Sequence, residues 1–65
     1  MKSTDEIIER VNIIYLLIEH LNANYKKKLF SSDIAKDVIT YEAIEAFNFI
    51  PNEVEMGWII HTLKK

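Results

Sequence analysis

The sequence predicts an all-α fold: one compact three- to four-helix domain, residues 1–65, with a helix-turn-helix-like arrangement. Three observations carry that prediction. Apolar residues recur at intervals of three and four, the period of a helix face. Breakers are few and fall mostly between those segments, at Asn22-Ala23-Asn24, Ser31-Ser32 and Pro51, with the single glycine at position 57. Residues that cap helix N-termini stand ahead of the apolar-periodic segments, at Ser3 or Thr4, Ser32, Thr40 and Asn52.

The first helix is expected from Ser3 or Thr4 to about Leu21. Asp5 and Glu6 suit the positive end of its dipole. Ile7, Val11, Ile14, Ile18 and Leu21 form one stripe, widened by Ile8, Tyr15 and Leu17. Ile13 and Leu16 fall outside the stripe, beside His20. Either this is a central helix wrapped by the others, or Ile13, Leu16 and His20 face a partner chain. The connection "NANYKKKLF" follows. Its Lys26, Lys27 and Lys28 read as a solvated loop or as phosphate contacts on a nucleic acid. Tyr25 and Phe30 beside them either anchor the loop in the core or stack a base.

Ser32 is the expected cap of a short second helix that buries Ile34, Ala35 and Val38. "VITY" is β-branched and lowers helix propensity, so a break is placed near Ile39-Thr40. A further helix would then carry Ala43, Ile44 and Phe47; one continuous helix to Asn48 is the open alternative. The last helix has the clearest start. Asn52 as cap and Glu55 three residues on form an Asn version of the capping box. Met56, Ile59, Ile60 and Leu63 share one side of it, and Val54, Trp58 and His61 share another. Gly57 costs about 1 kcal/mol against alanine inside a helix, which predicts close approach of another helix there.

Composition limits what such a domain can do. Apolar residues make up 49% of the chain and charged residues 28%, which is a folding composition rather than a disordered one. A chain of 65 residues is near the lower limit for folding alone, and such scaffolds often lean on a staple or a partner. Without cysteine, disulfides and thiolate metal sites are excluded. The opening "KSTDEIIER" is polar and acidic, with no basic start or small-residue cleavage site. No secretory leader is therefore expected, and the expected location is cytoplasmic. The net charge of −2 argues against general polyanion binding.

Enzymatic chemistry lacks its usual entry points. There is no Gly-x-Ser-x-Gly elbow and no glycine-rich phosphate loop. His20 and His61 are the only imidazoles, without metal-ligand spacing to each other or to carboxylates. The expectation is a non-enzyme with no cofactor, metal or small-molecule substrate.

"SSDIAKDVITYEAIEAF" resembles the helix-turn-helix superfamily, in which a Ser or Thr cap precedes Ile-Ala and a second helix follows a turn. "NEVEMGWIIHTL" is similar to the later helix of small winged-helix domains. The resemblance spans about residues 30–63. It implies that the helix after the turn would enter the DNA major groove. The residues it would present, Tyr41, Glu42, Glu45 and Asn48, include two carboxylates and no cation, which opposes binding to phosphates.

The reading that follows is a protein-interaction module, either a small accessory subunit of a larger complex, such as replication or transcription machinery, or a homodimer. Its partner-binding candidates are Ile13, Leu16, His20, Met56, Trp58 and Ile60. Its nucleic-acid candidates are Lys26, Lys27 and Lys28. A DNA-binding regulator and a small inhibitor or antitoxin-like protein are the alternatives.

Overall fold

A computed structural model of the chain describes residues 2–65, with side chains from Thr4 onward. The described residues form three α-helices and one 3-10 turn: α1 (Lys2–Asn24), the turn Lys27–Ser31, α2 (Ala35–Phe47) and α3 (Glu53–Lys64). The chain is all-α, as the apolar periodicity predicts. No helix among these residues is long and apolar enough to cross a membrane.

Side-chain pairs fix the relative directions of the helices. Arg10, early in α1, reaches the carbonyl of Ile50 just after α2, whereas His20 and Tyr25 reach Glu42 in its middle. Thus α2 runs back along α1. Arg10 pairs with Glu55 and Tyr15 with Trp58, so α3 runs with α1. The buried residues form one cluster: Ile14, Leu17, Ile18 and Leu21 of α1, Phe30, then Ala35, Ile39 and Ala43 of α2, Phe49, and Met56, Ile59 and Leu63 of α3.

The ends of α1 differ from expectation. Its backbone is already helical at Lys2, so neither Ser3 nor Thr4 occupies a cap position. At the other end "NAN" is the last helical turn rather than a breaker. The amide of Asn24 donates to the carbonyl of His20 at 2.7 Å, and Tyr25 N–H donates to the carbonyl of Leu21. These bonds satisfy acceptors that a helix end otherwise leaves open.

The break placed near Ile39-Thr40 is absent, and α2 is one continuous helix. β-branching costs a few tenths of a kcal/mol per residue in a helix, whereas burying an isoleucine contributes about 1.5–3 kcal/mol. Ile39 is fully buried, so packing outweighs propensity. The helix starts later than expected. Ser32 does not cap it; the Ser32 hydroxyl donates to the carbonyl of Leu29 at 2.6 Å and closes the 3-10 turn. Ile34 and Ile44, expected inside, are exposed, because Ala35, Ile39 and Ala43 take the buried stripe. Asn48 ends the helix in the left-handed region, with φ of 50°, a conformation asparagine tolerates better than most residues. That turn sends Phe49 into the core.

α3 begins as its sequence predicts. Glu55 N–H donates to Asn52 Oδ1 at 2.8 Å, and Asn52 N–H donates to Glu55 Oε1 at 2.9 Å. Gly57 departs from expectation. It lies on the exposed side, and a Cβ added there would meet nothing within 4 Å. No close helix compensates for it. Gly57→Ala is therefore expected to stabilise the domain by up to about 1 kcal/mol, raising Tm by roughly 4–8 °C. Thermal unfolding followed by circular dichroism measures this, and a fall in Tm would mean that the glycine serves another purpose.

Candidate functional site

Two polar clusters tie α1 to the rest of the chain. The first joins the start of α3. Arg10 Nε donates to Glu55 Oε2 at 2.7 Å, and one terminal nitrogen donates to Glu55 Oε1 at 2.6 Å and to the Ile50 carbonyl at 3.0 Å. The guanidinium also lies 4.4 Å from the ring centroid of Phe49, within cation–π range. Hydrogen bonding from Arg10 holds the Glu55 carboxyl below the usual carboxylate range, and the same bond raises Arg10.

The second cluster centres on Glu42. The Tyr25 hydroxyl donates to Glu42 Oε2 at 2.5 Å, and His20 Nε2 lies 2.7 Å from Oε1. An ionised carboxylate only accepts, so His20 donates there. The His20 ring meets Phe47 edge-on, 5.8 Å between centroids. The hydroxyl of Tyr25, followed by His20, holds the Glu42 carboxyl low; in turn the Tyr25 phenol is raised. Glu42 does not face solvent as a groove-reading residue would. It is half-buried between α1 and the loop, while Tyr41, Glu45 and Asn48 are exposed.

The partner-binding candidates do not gather on one surface. Ile13 packs partly against the core, His20 is engaged by Glu42, and Leu16 stands exposed on the α2 side of α1. Met56 is a core residue with no surface to offer. Trp58 and Ile60 are two positions apart, about 160° around a helix, so they lie on opposite flanks of α3. Both are partly buried against the core.

A different apolar surface emerges on the α3 side of α1. Because α3 starts level with Arg10, the first turns of α1 extend past the body. Ile7 lies on the same stripe as the buried residues but has nothing packed over it. Ile7, Ile8 and Tyr15 are 61%, 55% and 59% exposed, and Val54 at the start of α3 is 82% exposed. Val11 is half-buried between them. Ile7, Val11 and Tyr15 are four residues apart, so they align. Trp58, one turn after Val54, meets Tyr15 edge-on at 5.7 Å between centroids, joining the two helices into one ledge. Helical spacing places Ile8 and Tyr15 on the wide buried face of α1. Only the placement of α3 shows that they are left uncovered.

Lys26, Lys27 and Lys28 are all exposed at the opposite end of the molecule, where the 3-10 turn packs on α3. Among the described residues there is no pocket, and no group of three or more side chains that could hold a metal.

Compared with models of known protein families, with curated proteins and with solved structures, the chain matches none.

Proposed function

We propose that this chain is a non-enzymatic protein-interaction module, a small accessory subunit that docks through the α1–α3 ledge, and that it works in the cytoplasm. One observation carries the reading: Ile7, Ile8, Tyr15 and Val54 form an exposed apolar surface with the half-buried Val11 and Trp58 at its centre. Single exposed apolar residues are ordinary, but a contiguous patch on a small domain marks an interaction surface. Tryptophan and tyrosine are the side chains most often found to dominate such surfaces.

The test compares the intact chain with Ile8→Glu and Val54→Glu in capture from native extract, alongside the molar mass of each purified protein. A partner, or a second copy, is expected with the intact chain and should be missing from both variants while helicity is unchanged. Capture of the same set by all three proteins, or a strict monomer that retains nothing, refutes the reading.

The lysine loop favours a second reading, a DNA-binding regulator. Lys26, Lys27 and Lys28 are exposed side by side, with Lys64 and Lys65 closing α3. For every phosphate that a lysine no longer neutralises, the salt dependence of duplex binding should flatten by about 0.9 in log–log slope. Replacing the three lysines with alanine measures that, and a duplex that does not bind at low salt removes the reading.

A further inference from the structure

We propose that the occupant of the α1–α3 ledge is an amphipathic helix whose apolar seam is flanked by lysine or arginine. The proposal rests on the docking reading above and names the chemistry of the partner.

Shape argues for a helix. The ledge is long and narrow, running from Ile7 to Tyr15, about 12 Å along α1, with Val54 and Trp58 beside it on α3. A helix lays a row of apolar side chains spaced at three and four along such a pair. An added β-strand would need a free sheet edge to pair with, and both elements here are helices, whose backbone groups are satisfied internally.

Charge argues for a basic rim. On α1, Asp5 and Glu9 lie beyond the Ile8 edge of the stripe and Glu6 beyond the Ile7 edge, at 100° per residue. Glu53 stands next to Val54 in the first turn of α3. All four are exposed. Among the described side chains of α1, Arg10 is the only lysine or arginine, and Glu55 holds it. The apolar strip itself carries no charge, and carboxylates border it on both sides.

Those carboxylates discriminate among occupants. A second copy docked symmetrically would set one acid-rimmed strip against another, and like charges at a rim suppress the pairing. Anionic lipid and nucleic-acid phosphate meet the same repulsion. A helix flanked by Lys or Arg gains up to three exposed pairs, with Asp5, Glu9 and Glu53, since Glu6 already interacts with Arg10 one turn on, each contributing about 0.2–1 kcal/mol. Together these favour it by roughly tenfold or more over an acid-flanked helix with the same seam.

The experiment uses the full chain and two synthetic tryptophan-free amphipathic peptides. Both carry leucines at the i, i+3, i+4, i+7 spacing; one has lysine flanks and the other glutamate flanks. Trp58 emission reports binding. The lysine peptide is expected to bind about tenfold tighter at about 0.02 M salt, and most of that advantage should vanish near 0.5 M, where screening is short-ranged. Ile8→Ser with Val54→Ser should weaken the lysine peptide at least tenfold with unchanged circular dichroism. Asp5→Asn with Glu53→Gln should cut the lysine preference while leaving binding at high salt.

Equal binding of the two peptides, or tighter binding of the glutamate peptide, overturns the basic partner and leaves the docking reading intact. The same holds if neither peptide binds and sedimentation shows dimers that Ile8→Ser disrupts. Failure of both peptides with a strict monomer overturns the basic helix, and the docking reading falls with it only if the chain also retains nothing from native extract.

Discussion

Phe30→Ala is expected to cost about 3–5 kcal/mol of folding stability, the largest single effect in this chain. A domain of 65 residues holds a total of roughly 3–10 kcal/mol, so the variant should be largely unfolded or close to it at room temperature. Phe30 is almost fully buried, in a 3-10 turn that has few other anchors. Its ring meets Tyr25 edge-on at 6.3 Å between centroids. Truncation would leave a cavity between the turn and α3, and would also loosen the loop that positions Tyr25 on Glu42. Phe30→Leu keeps most of the volume and should cost less than about 1.5 kcal/mol. Ile44→Ala, at an exposed site, should stay within about 0.5 kcal/mol. Urea unfolding of the three variants tests this ordering. A Phe30→Ala cost below about 1 kcal/mol would show that the turn is not docked as described.

Glu55→Ala should be the most damaging change outside the apolar core, at about 2 kcal/mol. It removes the return half of the capping box, the bond from Asn52 N–H, worth about 0.5–1.5 kcal/mol, and it leaves Arg10 without its carboxylate. The second term is discounted, because the Arg10 side chain is 38% exposed, against 14% for Glu55. Glu55→Gln separates the two contributions: its amide oxygen still accepts from Asn52 N–H, but the charge is gone. Arg10→Lys should keep the charge but not the two-oxygen pairing, since lysine lacks the planar fork that meets both carboxylate oxygens.

The same carboxyl sets a pH dependence. Glu55 and Glu42 are both held below their ordinary value of 4.5, by Arg10 and by Tyr25 with His20 respectively. Their stabilisation is therefore fully present above that value and is lost as pH falls through their lower folded-state values. Stability should decline on acidification below about pH 4.5, and Glu55→Gln and Glu42→Gln should each flatten that decline. An acid limb as steep in both variants as in the parent chain would place the titrating groups elsewhere.

The expected helix-turn-helix break shows where local reading stops. Ile39 and Thr40 have poor helix propensity, and the good helix formers around them, Ala35, Lys36, Glu42 and Ala43, leave a continuous helix open without deciding it. The helix continues because Ile39 reaches a core built from α1, Phe30 and α3, which lie far away in sequence. The capping box is the opposite case. Asn52 and Glu55 act on each other's backbone three residues apart, and the structure has both bonds as the spacing predicts. Yet Glu55 has a second role toward Arg10, 45 residues away. The single arginine of the chain carried no local hint of it.

The sequence by itself determined the all-α class, the start of α3 and most of the buried set on α1 and α3. These follow from period, caps and side-chain volume, which act within one or two helical turns. Only the tertiary structure decided which apolar residues stay outside. Ile7 and Ile14 occupy the same stripe of α1, and one is exposed while the other is core. The difference is where α3 begins: level with Arg10, it covers Ile14 and stops short of Ile7. That end point depends on the length of the loop, the left-handed Asn48 and the grip of Arg10 on Glu55 acting together. No periodicity within α1 records where another helix will end.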